Sequence, residues 1–406
     1  MKILLVHNQY QIPGGEEVVF EQERELLERA GHTVLTYCRT NYEAESYTGL
    51  RKFSLVKNIA WSSDTSAALG RLLREEKPDV VHVHNTFMVM SSSVFAACRE
   101  AGVPVVQTLH NFRMFCPAAN FIRDGRVCEE CAEHTLWRGI RYGCFRNSRA
   151  ATATVALMIV VQRQREAYAD LYVALSEFSR RKFLANGMPA ERVCVKPNFV
   201  HPDPGERTFD GNYAIFAGRL SEEKGLDTLL TAWHQLQCDI PLMIVGDGPL
   251  LAPLQKKAAE LKLTGVTFTG RLPRQQTQET IKSARFLLAT SQCYENFPTG
   301  IAESFACGVP VICSRLGGMQ ELVEDGFTGL HFTPGNATEL ASKVQWAWSH
   351  PEEMRRMGKQ ARREYLNKYT AEKNYPLLME IYQRAAATEP AASLEEAAAD
   401  LSLSRG

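Results

Sequence analysis

At 406 residues the chain exceeds one ordinary domain, and its 45% apolar content is enough for two packed cores of about 200 residues each. Lys and Arg total 46, as do Asp and Glu, so the formal net charge is zero; this excludes a global electrostatic pull toward nucleic acid or a membrane surface. Eleven cysteines without an export signal argue for reduced thiols rather than a disulfide framework. Met1-Lys2 runs straight into the strand-like Ile3–His7, leaving no room for a signal peptide, and the longest uncharged apolar run, Ala150–Gln162, is too short to span a bilayer. A soluble, cytoplasmic protein is expected.

Short apolar strands alternate with amphipathic stretches from the first residue to about Val195. Strands are expected at Ile3–His7, Thr33–Tyr37, Asp79–His84, Val103–Leu109 and Leu171–Leu175, with a helix over Glu16–Ala30. Such alternation gives a parallel sheet covered by helices on both faces. Lys196 to Glu206 holds three prolines and a glycine with no apolar period, and reads as a linker. The alternation then restarts, with strands at Tyr213–Ala217, Pro241–Val245, Val266–Thr269, Arg285–Ala289, Val309–Cys313 and Leu330–Phe332. The expected architecture is α/β, with two doubly wound Rossmann-like domains facing a cleft. Residues 1–198 form the first domain, 199–211 a linker and 212–386 the second, and the Ala-, Glu- and Ser-rich tail 387–406 is expected to be disordered. In such sheets ligands sit at the carboxyl ends of strands.

Several candidate sites follow strands. Gly14 and Gly15, between the first strand and the first helix, let an anion approach backbone N–H groups where the helix dipole favours negative charge. Their spacing is not that of a dinucleotide fingerprint, and an ordinary tight turn is the plain alternative. His82 and His84 share one face of a strand, with His84 nearer the cleft end. His110 ends the next strand and can donate to, or accept from, a hydroxyl. Cys116, Cys128, Cys131 and Cys144 form a C-x11-C-x2-C-x12-C array in a stretch with little apolar period. Four thiolates about 2.3 Å from a metal suit closed, structural zinc; free thiols or a redox pair at Cys128 and Cys131 are the alternatives. Between Arg138 and Lys182 nine basic residues stand against three acids, either a solvated helix face or a patch for peripheral contact with an anionic membrane.

In the second half, Val245-Gly246-Asp247-Gly248-Pro249 is a strand-to-helix turn, and Phe268-Thr269-Gly270-Arg271-Leu272 closes a strand. Phe216-Ala217-Gly218-Arg219-Leu220-Ser221-Glu222-Glu223-Lys224-Gly225-Leu226-Asp227 places two cations just after another strand. Most informative is the run from Tyr294 to Pro310, where Glu295 and Glu303 flank seven residues that contain Pro298 and Gly300. Pro298 suits a first helical position and Gly308 ends the helix. The N–H groups near Thr299, Gly300 and Ile301 then form an anion site at a helix N-terminus. A carboxylate on each side of a phosphate cradle suits a ligand with hydroxyls on both sides of its phosphates.

This segment closely resembles the paired-glutamate signature of family-4 retaining glycosyltransferases, which have the GT-B fold, and Phe216–Asp227 resembles that family's diphosphate-binding turn. The resemblance extends over about Met1–Ala386 and implies transfer of a sugar from a UDP- or GDP-linked nucleotide sugar to a glycan or lipid-linked acceptor. It assigns Arg219 and Lys224 to the donor phosphates, Glu295 and His110 to the donor sugar, and Glu303 to the ribose hydroxyls. Gly14, Gly15, Gly246, Gly270, Arg271, Phe297, Thr299, Gly300 and Ile301 complete the donor site. Retention in such enzymes is front-face, with the leaving phosphate helping to deprotonate the acceptor. No two aspartates stand one residue apart, so no catalytic metal is expected, and no nucleic-acid partner. A GT-B phosphorylase and a non-catalytic sugar-binding scaffold are the alternatives. The first lacks a convincing pyridoxal lysine motif here, and the second would be expected to lose the charged cleft residues.

Overall fold

The computed structural model describes residues 1–11, 14–46, 51–164, 168–208, 211–236 and 240–387. The expected tail from residue 388 onward, and Ile12 and Pro13 beside the paired glycines, lie outside the described residues. Eight strands belong to the first half: β1 (Lys2–Gln9), β2 (Thr33–Thr40), β3 (Val80–Asn85), β4 (Val105–Thr108), β5 (Ile122–Arg123), β6 (Arg126–Val127), β7 (Leu171–Ala174) and β8 (Val193–Val195). Six form a parallel sheet in the order β2-β1-β3-β4-β7-β8. Ile3, Leu4, Leu5 and Val6 of β1 are all fully buried. A strand covered on both faces reads as a continuous apolar run rather than an alternating one.

Two features lie outside the strands expected above. β8 adds an edge strand only three residues long, too short to show a period. The cysteine-bearing stretch forms the antiparallel hairpin β5–β6, with Asp124 and Gly125 both at positive φ (52° and 69°) in the two-residue turn. Asp-Gly is favoured in such turns because both residues must leave the right-handed region.

The second half supplies β9 (Ala214–Ala217), β10 (Leu242–Val245), β11 (Val266–Gly270), β12 (Phe286–Ala289), β13 (Val311–Ser314) and β14 (Gly329–Phe332), every one expected. They run parallel in the order β11-β10-β9-β12-β13-β14. Strand order reverses direction between β1 and β3 in one sheet and between β9 and β12 in the other. The crevice at such a switch point, beyond the strand carboxyl ends, is where open α/β sheets bind ligands. The chain then returns to its beginning: the closing helix Ala371–Ala387 buries Leu378, Ile381, Tyr382 and Ala385 against Ile3, Leu5, Val80 and Val106 of the first sheet. Among the described residues no helix is long and apolar enough to cross a membrane.

Candidate functional site

The turns after β9, β10 and β11 are fastened to one another. Gly218 N–H donates to Val245 O at 3.0 Å, and Gly246 N–H donates to Gly270 O at 2.9 Å. Gly246 has φ of 143°, and a Cβ there would stand 1.8 Å from the Gly218 carbonyl oxygen. Only glycine permits that approach. The arrangement fixes the turn that carries Arg219 and Lys224, while Arg271 stays exposed on the turn after β11.

Lys224 Nζ lies 2.5 Å from Glu295 Oε1, which also accepts from Ser291 Oγ at 2.7 Å. The pair spans the switch point, Lys224 arriving after β9 and Glu295 after β12. Burial alone would raise the Glu295 carboxyl, but Lys224, Ser291 and the more distant Arg219 hold it below the usual range. Burial alone would lower the Lys224 ammonium, and Glu295 more than offsets that. Both groups are therefore charged at neutral pH, and Arg219 adds an exposed second cation.

The helix Thr299–Ala306 begins beside this pair. Pro298 is the N-cap, with extended φ and ψ of −72° and 99°, not the expected first helical residue. Its carbonyl accepts from Ile301 N–H at 2.9 Å. Of the three amides expected to face an anion, Ile301's is thus engaged, while those of Thr299 and Gly300 have no acceptor within the helix. The two apolar residues of this run pack inward. Phe297 (7% exposed) and Ile301 (1%) turn into the core of the second domain, Phe297 edge-on to Tyr369 at 5.5 Å, so neither side chain faces the cleft. Glu303, one turn in, is 17% exposed and lies 3.9 Å from Arg274 Nε. Burial raises its carboxyl, partly opposed by Arg274. Arg274 was not expected from the sequence; it opens the helix Arg274–Lys282 without a distinguishing motif.

From the first domain, the paired glycines meet this surface. A Cβ on Gly14 would lie 3.4 Å from Arg219 Nη2, and one on Gly15 would lie 3.7 Å from Thr299 Oγ1. The backbone therefore approaches the second domain to within ordinary contact of Arg219 and Thr299. The Gly14 N–H is engaged, donating to Glu17 Oε2 at 2.7 Å, while Glu17 Oε1 accepts from Tyr10 N–H at 3.0 Å. Glu17 caps the helix Gly15–Arg29 in this way. The neighbouring Glu16 went unnoticed in the sequence. Its Oε1 accepts from Asn111 Nδ2 at 3.1 Å, and its covered Oε2 has no partner.

Burial pushes the Glu16 carboxyl from its ordinary 4.5 up to about 7, against the Asn111 hydrogen bond. The fold thus favours the protonated form. Its contribution to stability is full below about pH 4.5 and is lost as pH rises through about 7. Glu16→Gln should flatten the stability-against-pH curve over that interval, as followed by thermal unfolding; an unaltered slope would contradict this assignment.

His110 also reaches the interface, because Leu109 O accepts from Asn296 Nδ2, next to Glu295, at 3.0 Å. With His84, Gln107, Asn111, Arg113 and Met158 it lines a cavity of about 60 Å³ at the carboxyl ends of β3 and β4. The four cysteines come together nearby: Cys131 is pushed up to about 12 by burial and then by Cys116, Cys144 and Cys128. Among the described residues, however, no three of these sulfurs lie within 4.8 Å of one another, and tetrahedral zinc would hold them about 3.8 Å apart. The donor set suits zinc in chemistry, and its spacing is wider than a closed site. Between two of these thiols, Glu129 accepts from Tyr294 Oη at 2.8 Å and from Lys182 Nζ at 2.6 Å, joining the hairpin region to the loop that carries Glu295.

The comparisons with known proteins bear on the family and the fold. Residues 203–364 match the model of Glycosyl transferases group 1, and residues 14–198 match that of the Glycosyl transferase 4-like domain. Alpha-maltose-1-phosphate synthase of Mycobacterium tuberculosis is 31% identical over 326 residues, 76% of this chain and 79% of that protein. An uncharacterized glycosyltransferase of Methanocaldococcus jannaschii is 27% identical over 214 residues, 53% of this chain and 59% of its own length, so that match spans less than two thirds of the relative. The crystal structure of HepE from Anabaena in complex with UDP shares the fold, with a TM-score of 0.68 at 19% identity over 96% of this chain and 100% of that one. The chain belongs to the GT-B glycosyltransferases, with a 4-like domain followed by a group 1 domain.

Proposed function

We propose that this protein is a retaining transferase that moves a sugar from a UDP- or GDP-linked donor to a glycan or lipid-linked acceptor, in surface polysaccharide or glycoconjugate synthesis. The carrying observation is the Lys224–Glu295 pair beside Arg219, opposite the paired glycines and the start of the helix Thr299–Ala306. In this reading the donor diphosphate lies against Arg219, Lys224 and the amides of Thr299 and Gly300. Positive groups fixed where charge builds on the leaving diphosphate stabilise the transition state more than the ground state. Glu295, with one oxygen held by Lys224 and Ser291, takes sugar hydroxyls rather than attacking carbon, and Glu303 takes the ribose hydroxyls. HepE, of the same fold, has also been crystallised with UDP-glucose.

Incubation with a panel of nucleotide sugars, following nucleotide release, tests the reading: acceptor-dependent release from one donor class is expected, and release from none would overturn it. A lipid-linked acceptor would meet the face carrying Trp137 (67% exposed), Tyr142, Leu157 and Val160 among Arg138, Arg141 and Arg163. Adding vesicles of anionic lipid to the same assay should raise the rate, and no change would count against a membrane-facing surface.

The four cysteines in this reading hold one structural zinc, whose binding draws the sulfurs to tetrahedral spacing. Purified protein should carry about one zinc per chain, and single Cys→Ser changes at Cys116, Cys128, Cys131 or Cys144 should lower metal content and unfolding temperature together. Elemental analysis finding no metal in protein prepared without chelators would remove the zinc.

A further inference from the structure

Behind His110 lies a closed set of charged and polar groups that donor contacts alone do not explain. Glu23, on the helix Gly15–Arg29, is fully buried, as are His82 and Lys196, and His84 is 3% exposed. Lys196 Nζ lies 2.6 Å from Glu23 Oε1 and 3.1 Å from Asn374 Oδ1 of the closing helix. Glu23 Oε2 stands 3.2 Å from His84 Nε2, an ion-pair distance with neither atom hydrogen-bonded to any other group, and His84 Nδ1 stands 3.2 Å from His110 Nε2, with the two rings stacked at 5.3 Å. Although Glu23, His82 and His84 are close enough to share a metal, the Lys196 ammonium already supplies the positive charge there.

The protonation pattern follows from what each group can do. Burial alone would raise the Glu23 carboxyl, but Lys196 and the two histidines hold it well below its usual range, so it is a carboxylate and only accepts. Burial keeps the His84 and His110 rings neutral. The Glu23 carboxylate, 3.2 Å from His84 Nε2 and with Oε2 otherwise without a hydrogen-bond partner, favours the His84 proton on Nε2, which leaves Nδ1 bare. His110 must carry its proton on Nε2 to donate to that nitrogen, which leaves its own Nδ1 an acceptor.

We propose that Glu23 and Lys196 are positioning residues that, through His84, fix His110 as a hydrogen-bond acceptor for a hydroxyl of the sugar substrate. This rests on the transferase reading for its effect on rate, and on geometry alone for the state of the rings. The charge pair lies 173 residues apart in sequence, so the relay ties the cleft to the chain segment that joins the two sheets.

The test is nitrogen NMR of ¹⁵N-histidine-labelled protein with steady-state kinetics. In the wild type, His84 and His110 should both be Nε2-protonated. In Glu23→Gln the amide oxygen must face the Lys196 donor, turning its NH2 toward His84 Nε2. Both rings should then switch to Nδ1-protonated, and kcat/KM should fall about tenfold or more as His110 becomes a donor. A merely structural role would lower stability without switching the rings. Nδ1-protonated His110 in the wild type, or unchanged rings in folded Glu23→Gln, would overturn the proposal. The wild-type measurement decides it even if the variant does not fold, and absence of transfer from every donor would count against the transferase reading instead.

Discussion

Lys224→Ala is expected to lower turnover by about two to three orders of magnitude, with a much smaller loss of donor affinity. The ammonium sits at the switch point of the second sheet, 2.5 Å from Glu295, and in the proposed function its charge counts most as the sugar–phosphate bond breaks. The change also leaves Glu295 without its cation. Because the two side chains are 25% and 18% exposed, that cost stays below the loss for a fully buried pair, at roughly 1–3 kcal/mol of stability. Lys224→Gln, which keeps a hydrogen-bond donor without the charge, should resemble Lys224→Ala in turnover while unfolding closer to the wild type. Single-turnover kinetics and donor titration separate the two effects. Wild-type turnover in a folded Lys224→Ala would count against the electrostatic role.

Gly246→Ala should abolish measurable donor binding and cost about 2 kcal/mol or more of stability. The added methyl would stand 1.8 Å from Gly218 O, in a backbone region that L-residues avoid. Relief requires the turns after β9 and β10 to part, and with them the Gly218–Val245 and Gly246–Gly270 hydrogen bonds. That movement displaces Arg219 and Lys224 together. Calorimetric titration with nucleotide diphosphate and thermal unfolding read both losses. Unchanged donor affinity would mean that the turn plays no part in shaping the site.

The fold was legible because buried parallel strands are continuous apolar runs, and each of the twelve that form the two large sheets, apart from the three-residue β8, is long enough to be seen. The closing helix was not: its apolar stripe shows that it packs, but not that it returns to the first sheet. Nor did the prolines around residue 200 show that the linker is clamped. Val200 donates to Tyr369 O at 2.9 Å, and Arg362 forks onto Asp203 with both contacts at 2.7 Å. At the candidate site, Arg219, Lys224, Glu295 and Glu303 drew attention because they stand in two runs that resemble family motifs, Phe216–Asp227 and Tyr294–Pro310. The inward packing of Phe297 and Ile301 was legible, since Phe297, Ile301 and Phe305 fall four apart and form one buried stripe. Glu16, Arg274 and the Glu23–Lys196 pair gain their surroundings from residues distant in sequence. No local pattern marks them.

The central claim is that fixed cations and helix amides of the protein carry the leaving diphosphate. The direct measurement is the initial rate of acceptor-dependent nucleotide release before and after brief mild chelator treatment, then with added magnesium or manganese. The account predicts an unchanged rate throughout, because Arg219, Lys224 and the amides of Thr299 and Gly300 supply the positive potential that a divalent ion provides in metal-dependent transferases. Were a zinc to draw the four thiolates into a closed site, as proposed above, it would exchange too slowly to respond. Loss of activity that either ion restores would contradict it.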